Sequence, residues 1–253
     1  MNIGVQTFTI RKYQKKNLYK SIEKLVELGY SSFELARIKF NKKNALIVKQ
    51  LIDKYNINIV SIQAKPKDVF NNKAKLVEFC NITNCKNIVL SMLPFKCILG
   101  NDNDFYEFLN TLDPLFDEYK NENLVLAYHH HNWEYTKLDN GKLLMDELLT
   151  KTKKIKFVHD TYWTTKSGRS SVEQVLQFDN RLLGIHLRDI TFFRTRIKVL
   201  SKDTEIGNGI INFSEVIKNA KYAEYFVVEQ KTKTPYESLL RSMDYIKENI
   251  CNK

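Results

Sequence analysis

Glycine, proline and cysteine are all scarce in this chain: eight, four and four among 253 residues. No Pro/Gly-rich linker, low-complexity segment or break in composition divides it, so a single domain spanning 1–253 is expected. The four cysteines (Cys80, Cys85, Cys97, Cys251) have neither Cys-x-x-Cys spacing nor a neighbouring histidine. They are expected to be small core residues or bystanders in a reducing compartment. Long apolar runs are absent too. Nothing approaches the ~18 residues of a membrane-crossing helix. The start, Met1-Asn2-Ile3-Gly4-Val5-Gln6, reads as a strand with no basic-then-apolar leader pattern, so a cytoplasmic location is the expectation.

What is present is ordinary globular material, 43% hydrophobic and 27% charged, with 40 Lys+Arg against 29 Asp+Glu for a net charge of +11. Such a balance could serve nucleic acid or a phosphorylated substrate. Yet the basic residues are spread along the chain, as in Lys12-Tyr13-Gln14-Lys15-Lys16, Lys42-Lys43 and Lys151-Thr152-Lys153-Lys154. They fall where helix faces and turns meet water, which favours a solvated surface over a nucleic-acid footprint.

Short β-branched or apolar runs alternate with helix-period segments at intervals of roughly 30 residues, as successive βα units require. Strands are predicted over 3–8, 31–35, 58–63, 87–91, 124–129, 156–160, 183–187 and 225–229. Leu18, Ile22, Leu25 and Leu28 share one helical face, with Gly29 where a C-terminal cap belongs. Phe105, Phe108, Leu109, Leu112 and Phe116 line another. About eight strands and eight helices make a (β/α)8 barrel the predicted α/β fold. A doubly wound open sheet would favour a Gly-rich first βα turn, and none follows 3–8.

Active sites of such barrels lie at the C-terminal ends of the strands. Several predicted strands end there in a potential ligand or acid/base group: Glu34, the run Tyr128-His129-His130-His131-Asn132-Trp133-Glu134, Asp160, His186-Leu187-Arg188-Asp189, and Glu229. Side chains alternate along a strand, so His129 and His131 should share a face while His130 points away, and Asp160 should part from His159. Carboxylates mixed with imidazoles suit one divalent ion of Mn²⁺, Co²⁺, Zn²⁺ or Fe²⁺ better than an all-oxygen cage. A strand-end carboxylate can equally be a helix N-cap.

In order along nearly the whole chain, several segments resemble the xylose isomerase-like family of sugar phosphate isomerases and epimerases. They are Gly4-Val5-Gln6-Thr7-Phe8-Thr9-Ile10-Arg11, Gly29-Tyr30-Ser31-Ser32-Phe33-Glu34, the strand-five run above, Asp160-Thr161-Tyr162-Trp163, His186-Leu187-Arg188-Asp189, Glu205-Ile206-Gly207-Asn208-Gly209 and Val228-Glu229-Gln230. The strand-five run is similar to that of a Tyr-His-Asn-His branch. The resemblance implies a metal at the barrel mouth held by Asp160, His186 and Glu229. His129 stands where many members carry Glu, which implies that His129 is the first ligand, that Glu134 swings in to take that place, or that the site is looser. Trp163 and Asn208 depart from the family's usual His and Glu, and Arg188 replaces a usual Lys while keeping the charge.

A metal so held can polarise a carbonyl and the neighbouring hydroxyl. A base poised near working pH then removes the α-proton to give an enediolate. His131 and Glu134 are the acid/base candidates, beside the ligand Glu229. Glu34, Trp163 and Arg188 are the expected substrate contacts. Isomerisation or epimerisation of a sugar, sugar phosphate or polyol comes first, and loss of a β-substituent, as in a dehydratase, second. Aromatic residues (Phe8, Tyr128, Trp133, Tyr162, Trp163, Phe192, Phe193) could stack on a sugar, with packing the competing reading for all but Trp163. The 192–203 segment, with Arg194, Arg196 and Lys198, is either a basic lid or a solvated loop. A non-catalytic sugar-binding barrel is a further alternative. An abasic-site endonuclease is the weakest, because alternation brings no more than about three histidines to the mouth. A carbohydrate is therefore the expected partner, with nucleic acid and membrane disfavoured and a homo-oligomer left open.

Overall fold

Strands that are apolar on both faces are stable only when covered on both, and here closure does the covering. The computed structural model describes residues 3–251. Its strands are β1 (Ile3–Gln6), β2 (Ser32–Ala36), β3 (Asn58–Ala64), β4 (Asn87–Leu90), β5 (Val125–His129), β6 (Lys156–Asp160), β7 (Leu182–Leu187), β8 (Asp189–Arg194), β9 (Val199–Thr204) and β10 (Tyr225–Val228). Eight of them form a closed barrel in the order β1-β2-β3-β4-β5-β6-β7-β10. Parallel pairing of Ile3, Gly4 and Val5 with Phe226, Val227 and Val228 shuts it. This is the single-domain (β/α)8 barrel the alternation predicts. Among the described residues no helix is long and apolar enough to cross a membrane.

Outward-facing Phe33, Leu35, Leu126 and Phe157 join the helices in the main core. Val89, Ala127, Val158, Tyr225 and Val227 form a second cluster that fills the barrel. The outer helices owe their ends to asparagine where glycine is scarce. Asn17, Asn41, Asn101 and Asn212 accept N-terminal amides as caps. Asn56 and Asn84 close helices in the left-handed conformation, at φ 52° and 53°.

Two local expectations change. The first strand stops at Gln6, whose side chain accepts the Phe8 N–H at 2.6 Å and turns Thr7–Ile10 into a 3₁₀ helix. The 192–203 segment is no loop: β8 and β9 pair antiparallel as a hairpin rising from the end of β7. Its basic residues Arg194, Arg196 and Lys198 are exposed. Cys80 and Cys85 are buried and Cys97 half-buried, while the side chain of Cys251, like Met1 and Asn2, lies outside the described residues.

Gly184 on β7 is opposite Tyr225, and a Cβ there would sit 2.4 Å from the Tyr225 ring. Gly184→Ala is therefore expected to destabilise the barrel by about 1–3 kcal/mol, measured by urea denaturation.

Candidate metal centre

Alternation along β5, β6 and β7, and just past β10, sends His129, Asp160, His186 and Glu229 into one end of the barrel. All four are buried, and their ligand-type atoms lie within 4.8 Å of one another. Asp160 plays both parts that its position allows. Its Oδ1 accepts the Trp163 N–H at 3.1 Å as a helix cap, while Oδ2 lies 3.4 Å from His129 Nε2. The other face of β5 and β6 holds the cluster in place. There His130 Nε2 accepts the Asp160 N–H at 3.1 Å and meets His159 Nδ1 at 3.2 Å. Burial, then the nearby His129, lowers the His130 pKa to about 3, so it serves as a neutral acceptor.

His186 sits between two carboxylates, its Nε2 2.7 Å from Glu34 Oε1 and its Nδ1 3.0 Å from Glu229 Oε2. Burial alone would push its pKa down, but Glu34 and Glu229 carry it up to about 10. Glu34, expected to touch substrate, is fully buried beneath the cluster and also accepts from Ser61 Oγ at 2.5 Å and Tyr225 OH at 3.0 Å. Arg188 closes the ring. Its Nη1 is 3.4 Å from Asp160 Oδ2 and 3.2 Å from Glu229 Oε1. Its Nε and Nη2 grip Asp203 of β9 at 2.8 and 3.0 Å. Burial would raise the Asp160 pKa, but Arg188 and then His129 hold it well below the usual range.

The donor set fits a divalent cation. Four carboxylates (Glu34, Asp160, Asp203, Glu229) face one guanidinium and one imidazolium, leaving surplus negative charge. Both His129 nitrogens are buried without a hydrogen bond, whereas those of His186 face Glu34 and Glu229. Orphaned buried donors and acceptors are rare in proteins and call for a partner. Two imidazoles and two carboxylates match a borderline divalent ion.

The other predicted residues separate. The His131 ring lies 4.8 Å from that of His129 and 5.3 Å from that of Trp163, with a buried, unpartnered Nδ1. Burial first, then His129, lowers its pKa well below the ordinary value. Glu134 is turned inward: its carboxylate accepts from the Tyr128 hydroxyl and, at 2.8 Å, from the His131 N–H. Trp163 stands at the rim, with Arg188 5.1 Å from its ring. Asn208 is exposed, and the flanking glycines instead donate their N–H groups to Asp189 Oδ2, both at 2.9 Å. Sequence reasoning missed Asp203, Ser61 and Tyr225, for which no local motif gives a signal. It missed Thr161 too, whose Oγ1 donates to Arg188 O at 2.8 Å and accepts its N–H at 2.9 Å, although Thr161 lies within a recognised segment.

Residues 22–249 match the family described as xylose isomerase-like TIM barrel. No curated protein matches at the level of sequence. A sugar phosphate isomerase/epimerase from Parabacteroides distasonis superposes with a TM-score of 0.79 at 18% identity, covering 100% of this chain and 95% of its own. The probable 3-DHS dehydratase AsbF of Bacillus anthracis gives 0.73 at 15%, covering 98% and 100%. The IOLI protein, solved with a zinc atom, gives 0.71 at 13%, covering 100% and 99%. At these identities the likeness establishes a shared fold and no shared reaction.

Two outcomes are expected of metal binding. To hold an ion, His186 would have to give up a proton that it keeps up to about pH 10. Affinity should therefore rise with pH below that value, by about tenfold per unit. Calorimetry in buffers of different ionisation enthalpy should detect the released proton, and a flat profile from pH 6 to 8 would contradict this. Glu34→Gln removes the carboxylate behind Nε2 and should weaken metal binding by about 10–100-fold in a folded protein.

Proposed function

The chain belongs to the xylose isomerase-like TIM barrel family, and we propose that it is a divalent-metal-dependent isomerase or epimerase of a sugar, sugar phosphate or polyol. The observation that carries the proposal is His129, both of whose nitrogens are buried without a hydrogen bond while Nε2 lies 3.4 Å from Asp160, beside His186 and Glu229. His129, Asp160, His186 and Glu229 would hold the ion, which when bound supplies Lewis-acid polarisation of a carbonyl and its neighbouring hydroxyl.

The protein's own groups do the rest. His131 is the proposed base: its Nδ1 is buried without a hydrogen bond beside His129, so the neutral imidazole can accept the α-proton, although burial leaves it a weaker base than the one poised near working pH that the sequence suggested. Glu134 fixes the His131 backbone through its N–H and so aims the ring. Trp133, its ring 5.1 Å from that of His131 and nearly parallel to it, shields that face from water. Arg188 is a substrate contact and keeps Asp160 and Glu229 in place. Proton return to the other carbon or the other face gives the isomer or epimer.

The first test is metal content by mass spectrometry for the protein and its Asp160→Ala and Glu229→Ala variants. About one equivalent of transition metal, lost in both variants, is expected. Full occupancy in Glu229→Ala, or a protein that takes up no added Mn²⁺, would sink the reading. In D₂O, ketose substrates should gain deuterium at the α-carbon. His131→Gln should slow that exchange by about 10²–10⁴-fold with metal content unchanged. Loss of water from the substrate instead of isomerisation would place the protein with the dehydratases.

A further inference from the structure

Two arginines outside the metal cluster stand over one aromatic ring at the ends of β1 and β2. The guanidinium carbon of Arg11 is 4.0 Å from the centroid of Phe8, and that of Arg37 is 5.4 Å from it. Arg11 Nη1 donates to Phe8 O at 3.0 Å, which fixes it against the turn. Arg37 has no hydrogen bond or ion pair among the described residues, and neither arginine has a carboxylate partner there. Burial and then the charge of Arg37 lower the pKa of Arg11, while Glu229 and Asp203 act against them from the metal centre, which puts Arg11 at its edge.

The backbone of Arg37 is unusual. Its φ is 60°, and the other described non-glycine residues with positive φ are Asn56, Asn84, Asn123 and Asp179. Asn and Asp tolerate that region, whereas a long side chain is strained in it. The preceding residue is held on both its backbone groups. Ala36 N–H donates to Thr7 Oγ1 at 2.8 Å, and Ala36 O accepts from Thr7 Oγ1 at 3.1 Å and Gln14 Nε2 at 2.7 Å. Backbone strain of this kind concentrates at sites with a task.

The same turn adjoins the metal centre. Thr9 Oγ1 accepts the N–H of Gln230, the residue after Glu229, at 3.0 Å. We propose that Arg11 and Arg37, stacked over Phe8, form an anion subsite that binds the acidic substituent of the substrate, a phosphate or a carboxylate, whose reacting end lies at the metal centre. This rests on the function proposed above and assigns its substrates to the acidic sugars or sugar phosphates. Two guanidinium forks over a ring suit an oxyanion, which each can bind through paired N–H groups. The exposed basic residues of the β8–β9 hairpin are not needed for it.

The test is calorimetric titration of the protein, with and without Mn²⁺, using fructose 6-phosphate, gluconate and fructose. One of the two anions should bind at least about tenfold more tightly than fructose, the yield of one or two charge-assisted hydrogen bonds. Preference for the phosphate ester identifies a phosphate subsite, and preference for gluconate a carboxylate subsite. Arg11→Gln and Arg37→Gln should each erase most of that preference while fructose and Mn²⁺ binding persist. Arg37→Gly should erase it too, yet raise the melting temperature by relieving the left-handed backbone, so that lost binding is not lost folding. Equal binding of all three ligands, or a preference that survives in the double Arg→Gln variant, would overturn the subsite. Failure of the metal reading is separate: it would show as no Mn²⁺ uptake with the anion preference intact.

Discussion

Four carboxylates brought out of water around one point are the constraint on which the mouth of this barrel depends. A buried charge is costly unless it is paired. The surrounding residues can be understood as the means of pairing it. Arg188 serves three of the four at once, touching Asp160 and Glu229 with one nitrogen and gripping Asp203 with the other two. His186 serves the fourth, Glu34, and shares Glu229. Even so, negative charge is in surplus and the His129 nitrogens are left without hydrogen bonds. An enclosed site with that surplus could hold a cation.

This pairing also explains the architecture above the rim. The β8–β9 hairpin follows Arg188 directly in the chain and returns Asp203 to it, so the hairpin is tied to the site through one bidentate ion pair. Its base is held by Asp189, whose carboxylate receives the N–H groups of Gly207 and Gly209. A Cβ on Gly209 would lie 2.2 Å from that carboxylate, which is why the segment needs glycine there. Arg11 and Arg37 stand beside this ring of charges at the ends of β1 and β2, close enough for Glu229 and Asp203 to act on Arg11.

Much of this was legible from residue order. The strand spacing gave the barrel, and Asp160, His186 and Glu229 were identifiable as candidates because each ends a predicted strand within a recognisable segment. His129 needed one further step, the alternation that turns His130 away, and the observed contacts of His130 with Asp160 and His159 follow that alternation. Glu34 and Glu134 show where the approach stopped. Both stand beside the right strands, yet one lies beneath the cluster against His186 and the other faces Tyr128 and the His131 amide. Nothing near either residue in the chain distinguishes these positions. The turn at Gln6 was missed for a similar reason, since a side-chain oxygen competing for one amide leaves no periodic trace.

The sequence by itself determined the fold and which side of each strand a residue occupies, because alternation and helical periodicity are properties of a single stretch of backbone. Only the tertiary structure decided which groups meet. The approach of Glu34 to His186, of Asp203 to Arg188, and of Arg11 and Arg37 to one phenylalanine ring depends on barrel closure, strand stagger and the path of each loop. Those are set by pairings between distant segments, and their distances are not written in any local run of residues.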